Sequence, residues 1–533
     1  MSELQSGQRG WALADDEAAG SRVSLSQFYG IEINDFAVTV AETALWISRL
    51  KANADTTMLY DIASHDFPLT ERPNIVHGNA LRLDWASIVP PSARVYMIGN
   101  PPFLGHATRN VDQADDLRTV WGRKDIGRLD YVTGWFKKAI DYFAGTPGGR
   151  FAFVSTNSIA QGEPVEALFE PIFDAGWRIR FAHQTFAWTT ESSGAAAVHC
   201  VITGYDKHEK SAPVLFTYPS LKGEATPITA QNINGYLVDA PNVIVKQARK
   251  PLSPELPEVA FGNMPRDNGG LVVEAADVEQ LRSDPYAAKY LRKYVGAKEL
   301  VQGLDRWCLW MAGDDFDPKD VPKSPILRER LQAVKDFRAA SSAKSTRDMA
   351  QTPHLFGQRS HRDVPHIAIP SVVSERRDYF TVEFYTPDVI ISNAAFAGED
   401  PDGFAFAIAS SSMFITWLKT VGGRLKSDLR FSNTLVWNTL PLPAVDPALR
   451  TKIIAAGRAI LDARAQHPER SLADHYNPLA MSPTLLRAHA ALDKLVDQAF
   501  ISSSVPATGS HCCPTNDDRL ATLFTRYLEM TSS

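Results

Sequence analysis

Four consecutive residues, Asn100, Pro101, Pro102 and Phe103, combine two hydrogen-bond acceptors with an aromatic ring. They follow an apolar run, residues 95–98, that predicts a buried β-strand. Two adjacent prolines fix φ and remove two N–H donors, so the backbone is stiff and its carbonyls are held in a set direction, which makes the Asn100 side-chain oxygen and the Pro101 carbonyl a pair of acceptors. This pair can accept hydrogen bonds from a planar amino group, and the ring of Phe103 can stack on an extruded base that carries the amine.

The same four residues, here called the NPPF motif, also suit an ordinary turn after a strand, because Asn and Pro are common in turns. Polar residues at two earlier strand ends favour the chemical interpretation. Glu32 ends the first predicted strand, where a carboxylate can bind ribose hydroxyls, and Asn79 ends the second. Ligands of open α/β sheets bind beyond the carboxyl ends of the strands. We therefore expect Glu32, Asn79 and the NPPF motif to share one rim.

The elements that must position these residues are short apolar strands alternating with amphipathic helices, as far as about residue 206. This alternation predicts a mostly parallel, doubly wound α/β sheet. The next segment is irregular and locally basic: residues 322–381 contain 11 Lys and Arg against 6 Asp and Glu. The remainder has apolar residues at i, i+3 and i+4, as helices do. The sequence predicts three domains, at residues 1–208, 209–410 and 411–533.

The composition excludes several classes of protein. The chain has 533 residues, too many for a single core, of which 44% are hydrophobic and 22% charged, as in globular proteins. It contains no apolar window that could span a bilayer and no secretory signal pattern, so we expect no membrane association and a cytoplasmic location. The four cysteines lack metal-ligand spacing, and no metal is expected. A net charge of −6 means that any contact with nucleic acid must depend on local patches.

The motifs resemble those of a known family. The segments "FYGIEIND", "GNALRLDW" and "GNPPFLG" resemble, in order, motifs II, III and IV of amino-methylating DNA methyltransferases that use S-adenosylmethionine (SAM). Later segments, among them "TFAWTTESSGAAAVHCVITG", "IPSVVSERRDYF" and "GRLKSDLRFSNTLVWNTLPLP", resemble the MmeI-like (type IIL) restriction-modification enzymes. The resemblance covers nearly the whole chain. It implies an incomplete Rossmann-like methyltransferase sheet (α/β), a mixed α+β target-recognition domain and a helical C-terminal domain.

The resemblance also implies roles for individual residues. Glu32 is expected to bind the SAM ribose, and Asn79 and Ala80 the SAM adenine. The catalytic residues that hold the target adenine are expected to be Asn100, Pro101, Pro102 and Phe103. Either Phe186 or Trp188 is a candidate for a second aromatic wall, although apolar rings beside a sheet are more often core. Two further polar residues, Asp130 and Asn157, can face the cleft, but a helix cap and a strand-end turn explain them equally well.

Basic residues in the second half of the chain are expected to contact double-stranded DNA. They can bind phosphates, and one or two arginines can read guanine edges, although scattered arginines are usually a solvated face. The residues are Arg359, Arg362, Arg376, Arg377, Lys419, Arg424, Lys426 and Arg430.

One motif of the family is expected to be missing. In those enzymes a glycine-rich loop, motif I, precedes motif II and wraps the methionine part of SAM. Only 31 residues precede Glu32, and Gly7, Gly10 and Gly20 do not follow an apolar strand, so none fits a strand–turn–helix cradle. We therefore expect a truncated enzyme with an exposed strand edge, weak SAM binding on its own, and dependence on an upstream polypeptide that carries motif I and a nuclease domain.

The sequence leaves several functions open. The first hypothesis is an adenine-N6 DNA methyltransferase of a restriction-modification system, with cytosine-N4 methylation as the alternative in that class. The second is a non-catalytic, DNA-binding specificity fragment. The third is methylation of a protein glutamine or an RNA base, since the acceptor pair suits any planar amine. The long recognition segment disfavours the third.

Overall fold

The computed structural model describes residues 23–60, 71–124, 126, 128–188, 198–207, 211–425, 427–502 and 515–532. Their contacts divide the chain into two compact units. Unit 1 contains residues 1–159 and 170–230, and unit 2 contains residues 160–169 and 231–533. The division into three domains with boundaries at residues 208 and 410 stays a prediction.

Short strands joined by helices make up unit 1. Its strands are β1 (Tyr29–Glu32), β2 (Asn74–His77), β3 (Tyr96–Gly99), β4 (Arg150–Thr156), β5 (Arg178–Trp188), β6 (Val198–Asp206), β7 (Val214–Thr217) and β8 (Thr226–Thr229). Its helices are α1 (Asp35–Tyr60), α2 (Trp85–Ile88), α3 (Val111–Trp121) and α4 (Thr133–Tyr142), and α5 (Pro164–Asp174) has residues in both units. Short 3₁₀ helices span Leu25–Gln27 and Asn157–Ala160.

The strands of unit 1 form two sheets. β1 and β2 pair in parallel, and a six-stranded sheet has the order β3-β4-β6-β5-β7-β8. In the larger sheet β3 is parallel to β4 and β7 to β5, but β6 is antiparallel to both of its neighbours. The predicted α/β class is confirmed, and in this sheet β3, β4, β5 and β7 run in one direction while β6 and β8 run in the other. Only nine residues separate β5 from β6, fewer than a parallel crossover needs, so β6 returns in the opposite direction.

The strand that leads into the NPPF motif lies at the edge of the six-stranded sheet. β3 forms where the sequence predicts it, but Tyr96 is 67% and Ile98 84% exposed, so the prediction of a buried strand is wrong. In the described part of the chain, β3 pairs only with β4. Of the 22 exposed large apolar side chains among the described residues, 11 lie between residues 23 and 111, including Phe36. The apolar surface of β3 and α1 is thus uncovered by the described residues.

Aromatic rings fill the core between α4 and the six-stranded sheet. Phe136 of α4 contacts Phe153 of β4 with ring centroids 5.1 Å apart, and Phe151 stacks on Tyr205 of β6 at 4.5 Å. Phe151 and Phe153 face the same side because side chains two positions apart in a strand do so. All four rings are buried. This packing fixes the start of α4 relative to the carboxyl end of β4.

Unit 2 contains three further sheets and a helical region. The sheets have the orders β10-β12-β11-β16, β15-β13-β17-β9 and β14-β19-β18. The strands are β9 (Val259–Phe261), β10 (Val272–Val273), β11 (Leu291–Val295), β12 (Trp307–Leu309), β13 (His366–Pro370), β14 (Val372–Val373), β15 (Glu383–Tyr385), β16 (Val389–Ile391), β17 (Ala395–Glu399), β18 (Gly423–Leu425) and β19 (Asp428–Arg430). This half of the chain therefore mixes strands with helices, as the sequence predicts.

The helices of unit 2 pack mainly at its carboxyl-terminal end, where α13 lies against α15 and α12 against α16. They are α6 (Val278–Ser283), α7 (Ala297–Gln302), α8 (Asp320–Lys323), α9 (Pro325–Ala339), α10 (Lys344–Asp348), α11 (Phe404–Ala409), α12 (Ser412–Val421), α13 (Pro447–Ala465), α14 (Leu472–His475), α15 (Pro483–Ser502) and α16 (Asn516–Thr531). Short 3₁₀ helices span Ala275–Asp277, Ala288–Tyr290 and Met349–Gln351, and a π-helix spans Asn433–Trp437. Within the described ranges, no helix combines the length and apolarity needed to cross a bilayer.

Candidate active site

Polar residues follow the ends of three parallel strands in unit 1. Glu32 is the last residue of β1, and its carbonyl accepts the N–H of Gly78 (2.8 Å), one residue beyond β2. Asn79 comes next, and Asn100 directly follows β3. Glu32 is half-buried, and its Oε1 accepts the N–H of Asn34 (3.1 Å). The predicted site residues thus stand at carboxyl ends of strands, where ligands of α/β sheets bind.

The two acceptors of the NPPF motif are not used by hydrogen bonds within the described part of the chain. Asn100 is exposed and Phe103 half-buried, whereas Pro101 is buried. Neither the Asn100 side chain nor the Pro101 carbonyl has a hydrogen-bond partner among the described residues. The chain can approach β4 closely here because Gly99 has no side chain: a Cβ at Gly99 would lie 3.3 Å from the ring of Phe153. Both oxygens are therefore available to an amine.

The residue after the motif is held at both ends of its backbone. The Leu104 N–H donates to Asp130 Oδ1 (3.0 Å), and the Leu104 carbonyl accepts the N–H of Tyr131 (3.0 Å). Asp130, 6% exposed, also accepts the Val132 N–H (3.3 Å) and the hydroxyl of Thr156 at the end of β4 (3.2 Å). Asp130 thus joins the exit of the NPPF motif to β4 and to the start of α4.

The turn after β2 fixes Asn79 in one orientation. Its Oδ1 accepts the Leu81 N–H (2.9 Å), and its Nδ2 donates to Asp116 Oδ2 (2.8 Å). One lone pair and one hydrogen of the amide remain for a ligand. The N–H of Ala80 has no partner among the described residues, so it offers a backbone contact as well. This arrangement suits the edge of a purine, and the binding of the SAM adenine by this turn stays a prediction.

Asp116 of α3 holds the same turn in place. It was not singled out from the sequence, because an acidic residue in an amphipathic helix usually belongs to the solvated face. It is 5% exposed and accepts hydrogen bonds from Arg82 Nε (2.5 Å), Asn79 and the Tyr131 hydroxyl (2.8 Å). Burial pushes the pKa of Asp116 up, but these hydrogen bonds outweigh it and hold the pKa below its ordinary value. Burial and the bond to Asp116 raise the pKa of Tyr131, so its hydroxyl remains a donor.

The two aromatic residues predicted as a second wall lie in a row of rings on β5 and β7. Phe186 stacks on Tyr218 with centroids 5.3 Å apart and lies 6.0 Å from Trp188, which is 41% exposed. The strand order separates β3 from β5 by three spacings, or about 14 Å. Rings in contact have centroids about 4.5 to 7 Å apart. Strand positions alone therefore do not bring Phe186 or Trp188 to Phe103, and their role as a second wall stays a prediction.

The basic residues predicted to bind DNA lie in unit 2 and differ in exposure. Those that are exposed are Arg359, Arg362, Arg376 and Arg430; Lys419 and Arg424 are half-buried, Arg377 is buried, and Lys426 lies outside the described residues. Arg377 donates to the Thr381 hydroxyl (2.9 Å), and Arg424 pairs with Glu375 (2.9 Å). Burial lowers the pKa of both arginines. These internal bonds favour a structural role for Arg377 and Arg424.

Two buried polar side chains that the sequence did not single out hold the segment with Arg359 and Arg362. Asn263, 1% exposed, accepts the N–H groups of Ser360 (2.7 Å) and His361 (3.1 Å). Arg338 has no exposed surface, and its guanidinium donates to the carbonyls of Pro265, Arg266, Met349, Thr352 and Leu355. The basic excess of residues 322–381 therefore includes an arginine that faces protein and not phosphate.

Comparison with known proteins decides the family. Residues 3–217 match the family model of the MmeI DNA-methyltransferase domain, residues 239–444 that of the MmeI target recognition domain, and residues 445–533 that of the MmeI C-terminal domain. The type IIL restriction-modification enzyme MmeI, solved in complex with DNA, is similar in structure: the TM-score is 0.78 at 37% identity, covering 96% of this chain and 67% of that one. The chain belongs to the MmeI family.

DNA methyltransferase A of Bacillus subtilis (strain 168) is also similar to this chain, with 35% identity over 515 residues. The match covers 96% of this chain and 56% of the relative, so the chain spans little more than half of the relative's length. All rim residues of unit 1 fall within the match to the MmeI methyltransferase domain, and all eight basic residues fall within the match to the MmeI target recognition domain.

Replacement of Asp116 by Asn should destabilise unit 1, because the amide cannot accept from three donors at once. The expected loss is about 1 to 3 kcal/mol at pH 7. Because the folded-state pKa of Asp116 is depressed, its contribution is complete above the ordinary Asp pKa of about 3.9 and is lost as the pH falls through the lower folded-state value. Urea denaturation of the parent and of Asp116→Asn between pH 7 and pH 3 measures both free energies of unfolding. The difference between them should narrow below pH 4.

The matched control is Asp115→Asn, the exposed neighbour on the same helix, which should change stability by less than about 0.5 kcal/mol. A gap between parent and Asp116→Asn that stays constant down to pH 3 would contradict the role given to the carboxylate.

Proposed function

We propose that this MmeI-family chain transfers a methyl group from SAM to N6 of an adenine extruded from double-stranded DNA, within a restriction-modification system. The observation that carries the proposal is the pair of unpartnered oxygens at Asn100 and Pro101, beside the half-buried ring of Phe103. The family match to a DNA-methyltransferase domain supports it. The expected cytoplasmic location remains a prediction.

The NPPF motif acts on the amine through hydrogen bonds. When the two N–H groups of N6 donate to Asn100 Oδ1 and to the Pro101 carbonyl, nitrogen electron density is drawn out of the ring and towards the methyl donor. Stacking on Phe103 offsets part of the few kcal/mol that base extrusion costs. The nitrogen would attack the methyl carbon of SAM while the carbon–sulfur bond breaks and sulfur keeps its electron pair, and the extra proton on nitrogen would then leave to water. No side chain has to act as a general base.

The polar groups beyond β1 and β2 suit the adenosine half of SAM. Glu32 Oε2 has no hydrogen-bond partner among the described residues and can accept from ribose hydroxyls. The fixed amide of Asn79 and the N–H of Ala80 can bind the adenine edge. SAM supplies an electrophilic methyl group when bound. The chain's own residues bind the amine and orient it towards the methyl group. Positioning of this kind can supply a large part of an enzyme's rate enhancement.

We further propose that an upstream polypeptide, carrying motif I and a nuclease domain, completes the sheet. The support is the uncovered apolar surface at β3 and α1: Ile98 is 84%, Phe36 74% and Tyr96 67% exposed. Because β1 pairs only with β2 and β3 only with β4 in the described part of the chain, each retains a free edge to which a strand can hydrogen-bond.

Co-expression with the product of the upstream reading frame tests the partner. The two polypeptides should co-purify, and Ile98→Lys should abolish the complex because a charge replaces an apolar contact. Leu479→Lys, at a leucine of unit 2 that is 97% exposed, should leave the complex intact. Light scattering of the purified material measures the outcome. A parent chain that never associates, or an Ile98→Lys chain that associates normally, would overturn the proposal.

Asn100→Ala tests the catalytic assignment. It removes one of two acceptors at an exposed position, so stability should be unaffected and methyl transfer should fall by about 10² to 10³-fold, as for loss of one positioned hydrogen-bond group. Transfer onto duplex DNA is measured by mass spectrometry of the nucleosides, with the partner present. Detection of N6-methyladenine supports the proposal. Detection of N4-methylcytosine would show that the target base is cytosine and not adenine.

Equal transfer by parent and Asn100→Ala would show that the motif is not catalytic. DNA binding without any transfer by the parent, even with the partner, would favour the second candidate function, a DNA-binding specificity module. The match to a target recognition domain over residues 239–444 supports that candidate independently of the NPPF motif.

We propose that Arg359, Arg362, Arg376 and Arg430 position the DNA through its phosphates. Each is exposed, and only Arg362 has an ion pair among the described residues, a long one to Glu399 (3.8 Å). The logarithm of the binding constant should fall linearly with the logarithm of salt concentration, and each Arg→Ala change should reduce the slope by about 0.9.

Fluorescence anisotropy with a labelled duplex measures these slopes. Arg487→Ala, at an exposed arginine of α15, is the control and should leave the slope unchanged. Slopes that are the same for the parent and all four variants would contradict phosphate positioning by these residues.

A further inference from the structure

Two consecutive residues, Asp130 and Tyr131, contact both halves of the candidate site. On one side they hold Leu104, the residue after the NPPF motif, through its N–H and its carbonyl (3.0 Å each). On the other side the Tyr131 hydroxyl donates to Asp116 (2.8 Å), which in turn holds Asn79 (2.8 Å). The chain of hydrogen bonds runs from the end of β3 to the end of β2.

We propose that Asp130 and Tyr131 are positioning residues that set the NPPF motif and the Asn79 turn at a fixed separation for methyl transfer. The inference rests on the proposed function, since it concerns the same site. Neither side chain touches the reacting atoms. Their effect is geometric: a displacement of about 1 Å between reacting groups can cost about 10²-fold in rate.

An ordinary helix cap does not explain these contacts. The residue at the N-cap of α4 is Val132, and no side chain caps this end of the helix. Asp130 instead directs one oxygen to Leu104 and Val132 and the other to Thr156 of β4, so all its bonds except that to Val132 leave the helix. A capping role predicts bonds to the first turn alone.

Burial makes this junction rigid. Asp130 and Tyr131 are 6% and 5% exposed, and a buried carboxylate that loses a partner still bears the cost of its desolvation, so the bonds are strongly favoured over open alternatives. The Asn79 turn is also packed directly onto α4: a Cβ at Gly134 would lie 3.0 Å from the Leu81 side chain. The turn and the motif therefore share one support, the first residues of α4 and the two before it.

Amide hydrogen exchange measures the two halves of the site, the NPPF motif and the Asn79 turn, separately. The Leu104 N–H is protected by Asp130, and the Leu81 N–H by Asn79, which depends on Tyr131 through Asp116. In Asp130→Ala the Leu104 amide should exchange at least tenfold faster. In Tyr131→Phe, which removes one oxygen and keeps the ring, the Leu81 amide should exchange several-fold faster. Amides of β4 should be unchanged in both.

Methyl transfer is measured on the same variants in the complex with the upstream polypeptide. Asp130→Ala should lower kcat by about 10²-fold and leave KM for DNA within about twofold. Asp130→Asn retains an oxygen for Leu104, so it should restore most of the protection and most of kcat. Asp141→Asn, at an acidic residue of α4 whose side chain is 52% exposed, is the matched control and should behave as the parent.

Unchanged Leu104 protection in Asp130→Ala would overturn the proposal, as would normal kcat in the presence of lost protection. An Asp130→Asn variant as defective as Asp130→Ala would show that charge, and not the hydrogen bond to Leu104, is what matters, and would also overturn it. If Asp130→Ala does not fold, Tyr131→Phe decides through the Leu81 amide. If the parent complex transfers no methyl groups, the proposed function fails, while the exchange rates still decide whether these residues position the two loops.

Discussion

The constraint on which the candidate site depends is the rigidity of a short backbone segment at the edge of a sheet. Two prolines restrict the backbone between Asn100 and Phe103, and the next residue, Leu104, is bonded at both its N–H and its carbonyl. A loop fixed at its entry by β3 and at its exit by Asp130 can hold two oxygens in place while leaving them without partners. Free acceptors on a stiff backbone are what distinguishes this segment from a turn that only reverses the chain.

The two sides of this segment differ in how they are stabilised. Towards α3 and α4, two buried carboxylates accept hydrogen bonds from other elements: three at Asp116 and two at Asp130. The local bond from Val132 to Asp130 is not included in this count. Towards β1 and α1, large apolar side chains are exposed. The buried carboxylates find their partners within unit 1, whereas the apolar surface is of the kind that a further strand covers. The NPPF motif and the surface proposed to bind the partner therefore both lie at β3, an edge strand.

The sequence predicted the features that are local. The strands before Glu32, Asn79 and Asn100 were found because each is a short apolar run that ends in a polar residue, and the resemblance to the MmeI-like enzymes was confirmed over all three matched regions. The exposure of β3 was missed because four apolar residues give no information on whether anything covers them.

The roles of residues that act through distant partners were not predicted from the sequence. Asp130 bonds to Leu104 across 26 positions and Asp116 to Asn79 across 37, while Asn263 reaches Ser360 across 97. Each is a common polar residue whose neighbours in the sequence explain it as a cap, a solvated face or a turn. Arg338 entered the sequence analysis only as part of the basic excess of residues 322–381, because its five carbonyl partners are scattered over 91 positions, from 265 to 355.

The most direct measurement is the structure of the chain, together with the upstream polypeptide, on its DNA target with a non-reactive SAM analogue. Both oxygens, Asn100 Oδ1 and the Pro101 carbonyl, should lie about 2.7 to 3.2 Å from N6 of an adenine that has left the duplex and stacks on Phe103. An adenine that remains stacked between its neighbours, or one that is extruded but held by other residues, would contradict the role given to the NPPF motif.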